Sequence, residues 1–117
     1  MVDVKATLTE VKILYTDQSC WARDGYAFSD EKRPCDPTDP KAACWCLGGA
    51  IRKVLNIRVN GWLPDEILDA FKPYINNIAS FNDHHTFEEV MLLLDTVIFF
   101  YDWPLKGESG GETSSGY

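Results

Sequence analysis

The chain is short of several things, and each shortage excludes a class of function. It has no long apolar run: stretches such as Val97 to Tyr101 are far too short to span a bilayer. No surplus of basic charge is present. Eighteen acids face eleven Lys and Arg, a net charge of −7, so the phosphate-attracting footprint of a nucleic-acid binder is missing. There is no Gly-rich phosphate loop, no Walker pattern, no H-E-x-x-H and no EF-hand spacing. Only two histidines occur, His84 and His85. The start, Met1 to Thr7, has neither the basic residues nor the apolar stretch of a secretory signal, so a cytoplasmic setting with reduced thiols is expected.

What is present suits a folded domain. In 117 residues, 45% are hydrophobic and 13% aromatic, enough to build one core without staples. The charge is uneven. Residues 83–117 hold seven acids and one base, whereas the first 82 hold eleven acids and ten bases. A solvated acidic face and tail explain this most simply. An acidic surface for a basic protein partner, or a mimic of nucleic acid, is the sharper alternative.

Hydrophobic periodicity predicts a mainly α, compact single domain of about four helices over residues 1–105, with a flexible tail at 106–117. Val4, Leu8, Val11 and Tyr15 form one stripe of a first helix, roughly 4–17, whose regular part could start at the Thr7–Glu10 capping-box spacing. Residues 18–40 read as an irregular aromatic loop around Trp21, Tyr26 and Phe28, with a short β-hairpin around 21–35 as an option. Asp36-Pro37 and Asp39-Pro40 mark turns and then offer an N-cap to a second helix, about 40–55. Gly48 and Gly49 inside that helix each cost about 1 kcal/mol against Ala. Close approach of the 18–37 loop or of another helix is the simplest reason for them. A third helix opens at Leu63-Pro64-Asp65-Glu66, has Ile67, Leu68, Phe71, Tyr74 and Ile75 as its core side, and should be kinked or ended by Pro73. The fourth begins with a Thr86–Glu89 capping box and runs through Val90, Leu93, Leu94, Val97, Ile98 and Tyr101.

Four cysteines raise the question of zinc. Cys44 and Cys46 are spaced C-x-C and fall inside the expected second helix. Residues two apart on a helix diverge by about 200°. The pair should therefore neither share an ion nor form a disulfide, and no metal or other cofactor is expected. Buried thiols acting as small apolar groups are the reading for both.

The best cluster of chemically capable residues is Asn82-Asp83-His84-His85, expected between helices and just ahead of a helix N-terminus. As an enzyme it would use His84 or His85 with Asp83 as base and Cys20 or Cys35 as nucleophile. The plain alternative is local turn bonds for Asn82 and Asp83, with both histidines on the surface. As a binding surface the same four residues would act with Trp21. The four tryptophans are expected in the core or at its rim, and any one found exposed would suggest a protein-binding hot spot.

Two blocks resemble a known family. They are Trp21 to Ile51, above all Arg-Pro-Cys-Asp-Pro-Thr-Asp-Pro (33–40) and Trp-Cys-Leu-Gly-Gly-Ala-Ile (45–51), and Ala79 to Val90 continuing through Leu94 to Ile98. They are similar to an uncharacterised family of small bacterial and phage proteins, a domain of unknown function. Phe81 stands where that family usually has Trp, and His84-His85 replaces a longer loop. The resemblance implies a phage or prophage-type context and no catalytic residues. Together these readings favour a non-enzymatic accessory protein that binds a protein partner or a second copy of itself, without direct contact to nucleic acid or membrane. The rivals are a small Cys/His-dependent hydrolase or transferase using 82–85, and an acidic inhibitor of a nucleic-acid enzyme.

Overall fold

The structure, a computed structural model, describes residues 2–101. Five α-helices and a two-stranded antiparallel sheet follow in the order α1 (Val4–Leu14), β1 (Ala27–Ser29), β2 (Ala42–Trp45), α2 (Leu47–Leu55), α3 (Asp65–Phe71), α4 (Ile78–His84) and α5 (Phe87–Tyr101). The class is mainly α with a short hairpin, as the periodicity predicts. The expected tail, and Trp103, lie outside the described residues.

The core forms where α1, α2, α3 and α5 meet. Leu8, Val11, Leu47, Ile51, Ile67, Phe71, Leu94 and Val97 are sealed from solvent there. Fully burying each such side chain contributes about 1.5–3 kcal/mol. The two helices with the clearest stripes, α1 and α5, pack directly on one another, and the Lys12 ammonium and Asp95 carboxylate pair across their outer edge.

Caps set most boundaries. Asp3, rather than Thr7, caps α1, its Oδ1 accepting from Ala6 N at 3.0 Å. Thr7 is instead buried inside the helix. The helix stops at Leu14, short of residue 17, because Asp17 turns back to accept the Ser19 amide and opens a 3-10 turn at Gln18–Cys20. The Thr86–Glu89 box forms as expected: Thr86 N donates to Glu89 Oε1 at 2.8 Å, and Glu89 N to Thr86 Oγ1 at 3.1 Å. Pro73 follows the end of α3. Leu68 and Tyr74, expected in the core, are instead partly exposed.

The second helix departs most from expectation. Residues 42–45 are strand, Cys46 is the N-cap, and the helix begins only at Leu47. β2 pairs with β1 in the register Ala27↔Trp45, Phe28↔Cys44 and Ser29↔Ala42, so the hairpin is wider than residues 21–35. Both Asp-Pro units form turns and cap no helix. Asp36 Oδ1 accepts from Thr38 N at 3.0 Å, and Asp39 Oδ1 from Lys41 N at 2.9 Å. With the helix starting late, Gly48 and Gly49 fall in its first turn.

The reason for one glycine is steric. A Cβ on Gly49 would lie 1.9 Å from the carbonyl oxygen of Tyr26, which also accepts from Cys46 N at 3.2 Å. On Gly48 the nearest atom to such a Cβ would be Arg52 Nη1 at 3.4 Å, an ordinary contact. The close approach of the 18–37 loop thus applies to Gly49 alone. Gly49→Ala is expected to destabilise the fold by about 3 kcal/mol. Gly48→Ala should be neutral or stabilising by about 0.5 kcal/mol. Urea unfolding of the two variants checks the contrast; equal losses would contradict it.

Candidate functional site

The segment 82–85 is not a loop between helices. Asn82, Asp83 and His84 lie on α4, and His85 is its C-cap. Asn77 caps this helix, its Oδ1 accepting from Ser80 N at 2.8 Å. The turn directs Asn82 inward, where it is fully buried.

Every polar atom of the Asn82 side chain is used, across long stretches of sequence. Its Oδ1 accepts from Trp21 Nε1 at 2.6 Å and from Leu47 N at 2.9 Å. Its Nδ2 donates to Ala22 O at 2.9 Å and to Asp83 Oδ1 at 3.1 Å. Asp83 Oδ1 also accepts from Asp24 N at 3.1 Å, at a residue with positive φ. These bonds replace the local turn bonds considered from sequence. One side chain ties the aromatic loop, the first turn of α2 and α4 together.

Trp21, Asn82 and Asp83 are therefore gathered in one place. His85 joins them at the edge: the Arg23 guanidinium donates to its carbonyl, and its ring stacks on Phe81 with centroids 3.8 Å apart. Arg23 also covers the Trp21 ring, 5.0 Å from its centroid. His84 is exposed and hydrogen-bonds with Ser80 O through Nδ1 at 2.8 Å. Cys20 is elsewhere, 3.4 Å from the Thr16 hydroxyl. No hydrogen bond among the described residues joins a cysteine to a histidine.

The thiol that does share space with Asp83 is Cys46, which the sequence reading assigned only to packing. The two line a hollow of about 200 Å3 with Gly25, Tyr26 and Ala79. Cys46 Sγ accepts from Gly49 N at 3.3 Å, capping α2 with sulfur in place of the usual oxygen. Burial pushes its pKa up to about 11, outweighing the Gly49 amide, which favours the thiolate; the Asp83 carboxylate adds to the rise. At neutral pH this is a protonated thiol, the opposite of an activated nucleophile. All four cysteines are free, and among the described residues no group of three or more His, Cys, Asp or Glu is placed to hold a metal ion. Cys44 and Cys46 are separated by a strand end and a helix cap rather than by a helical turn, so the expected reason for their divergence does not hold.

A family model matches residues 1–99, and its description is a family of unknown function, DUF6197. The chain belongs to that family. No curated protein and no solved structure matches it. The hub's components, Trp21, Cys46-Leu47 and Asn82-Asp83, all come from the two blocks that carried the resemblance. Sequence reasoning missed Cys46 as a cap and Leu47 N as a bond donor. The Asn77–Ser80 capping spacing was the available signal for α4.

Two outcomes follow. Asn82→Ala would leave Trp21 Nε1, Leu47 N and Ala22 O without partners and should cost about 3 kcal/mol in urea unfolding. A loss under about 1 kcal/mol would show that the hub is not needed. Cys46→Ser keeps the cap and should fold normally. A thiol whose pKa the fold raises contributes its stability fully below the ordinary 9.0 and loses it as pH climbs through about 11. The melting temperature of the wild type should thus fall over that window, and Cys46→Ser should fall less; parallel curves would contradict the assignment.

Proposed function

We propose that this protein is a non-enzymatic binding domain that engages a protein partner, with Trp62 as its anchor. One observation carries the reading: Trp62 is 92% exposed, yet it sits on a segment fastened at several points. Asp36 Oδ2 accepts from Val59 N at 3.0 Å, Arg52 Nη2 donates to Gly61 O at 3.2 Å, and Gly61 N donates to Arg58 O at 2.8 Å. The Val59 and Thr38 amides hold the Asp36 carboxyl below the usual carboxylate range, so this pin is in place at neutral pH. A solvated indole on a fastened backbone suits an interface hot spot, because little backbone entropy remains to be lost on docking. Ile13 and Leu92, 67% and 65% exposed on α1 and α5, support self-association as the cheapest version.

The family resemblance is the ground for reading a small phage- or bacterial-type accessory protein. No helix of the described residues is long and apolar enough to cross a membrane. The hydrolase alternative lacks support in the geometry, where the thiol beside Asp83 is protonated and no histidine bonds to a cysteine. Acidic mimicry would need the seven acids of residues 83–112 on one surface; Asp83, Glu88, Glu89 and Asp95 are among the described residues, and the other three lie outside them.

Trp62→Ala should leave stability within about 0.5 kcal/mol. It should weaken the complex about thirtyfold, the effect of removing a hot-spot tryptophan. The partner is recovered from the native host with wild-type protein and its isotherm is then compared between variants, with sedimentation velocity covering self-association. Unchanged affinity for Trp62→Ala would overturn the reading; His84→Ala with His85→Ala should bind like wild type.

A further inference from the structure

A cleft of about 300 Å3 opens between α2, α3 and the start of α4. Its walls are apolar: Leu68, Phe71, Ile75 and Ile78, with the Tyr26 ring beside them. Asn76, Asn77 and Lys72 also line it, and its buried-side cation is Arg52. The guanidinium lies 4.6 Å from the centroid of the Tyr26 ring and is held by two neutral acceptors, Nη1 to Gly48 O at 3.3 Å and Nη2 to Gly61 O at 3.2 Å. A guanidinium has five N–H groups, so these two bonds leave three. One of them, Nε–H, is buried without any partner. Among the described residues, no carboxylate lies within ion-pair distance of Arg52, although the chain carries eighteen acids. Lys72 stands at the rim, engaged by Asp69 at 3.1 Å.

A fixed cation without a counter-charge, at one side of an apolar cleft, is half of an ion pair. We propose that the cleft binds a small organic anion, in which a carboxylate or phosphate meets the free Nη N–H groups of Arg52 and an apolar body lies against Leu68, Phe71 and Ile75. The volume is about that of ten water molecules, enough for one ring-sized body and its anionic head. The neutral carbonyls orient the guanidinium without quenching its charge. The site shares Arg52 with the segment that carries Trp62, through the bond to Gly61 O, but ligand binding in the cleft does not depend on the Trp62 reading.

The test is an amide-resolved NMR titration of the whole protein with four probes: benzoate, phenyl phosphate, benzylammonium and inorganic phosphate. The expected result is saturable shifts centred on Gly48, Arg52, Ile75 and Ile78 with at least one aromatic anion, and none there with benzylammonium. Which of the two aromatic anions binds tighter assigns the head group; inorganic phosphate alone should bind at least about tenfold more weakly. Arg52→Met keeps the stem and should lower affinity about tenfold, the loss of one charge-assisted bond. Because Arg52 also bonds to two carbonyls, Leu68→Trp provides a second check, filling the cleft from a partly exposed position and blocking the same probes. Benzylammonium binding as well as benzoate, shifts elsewhere, retained affinity in Arg52→Met or Leu68→Trp, or no shift from either aromatic anion at tens of millimolar would each overturn the proposal.

Discussion

The carboxamide of Asn82 is the constraint on which the rest of the structure depends. An amide taken from water without partners costs about 2–7 kcal/mol. Its four hydrogen bonds offset that cost, and a bond exchanged for one to water nets only about 1 kcal/mol. The net gain in stability is therefore small, and what the amide contributes is position. Its oxygen holds the Trp21 indole and the first amide of α2 together, and its nitrogen holds the carbonyl of Ala22. Shifting any of these segments by one residue would strand a buried donor or acceptor. The aromatic loop is consequently irregular in conformation but specified in place. Its carbonyl at Tyr26 then presses on α2 closely enough to require glycine at position 49.

Much of the fold is legible from sequence where one side chain pattern and one cap agree. α5 carries both, an apolar stripe and a reciprocal Thr86–Glu89 box, and it forms from Phe87 onward. Pro73 ends α3 because it cannot continue a helix. Residues 40–46 show the limit. Ala42, Ala43, Cys44 and Trp45 carry no period long enough to separate a four-residue strand from a helical turn. What decides is pairing with Ala27 and Phe28, a non-local contact that no local pattern encodes. The short α4 fails for a related reason: seven residues give two turns, too few for a stripe to show.

The candidate site was readable in its residues and not in its geometry. Asn82, Asp83 and Trp21 do come together, but as a buried tie between segments. Two positions apart on α4, His84 and Asn82 diverge, so the cluster divides into an inner Asn82–Asp83 pair, His85 at its edge and an exposed His84. The cysteines were placed in the right kind of environment by the wrong element. Cys46 is buried, as expected of a small apolar group, yet it also caps α2, a role that sulfur fills at longer distance than oxygen. That burial keeps the thiol protonated. The unusual features lie at the surface, in an exposed Trp62 and an Arg52 without a carboxylate partner among the described residues.

The measurement that bears most directly on the central constraint is native-state hydrogen exchange of two protons, the Leu47 amide and the Trp21 indole N–H. If Asn82 holds both, each should exchange only through global unfolding, with the same protection as the amides of Val11 and Leu94. Exchange at the faster rate of a locally opening loop, with the core still protected, would contradict the account.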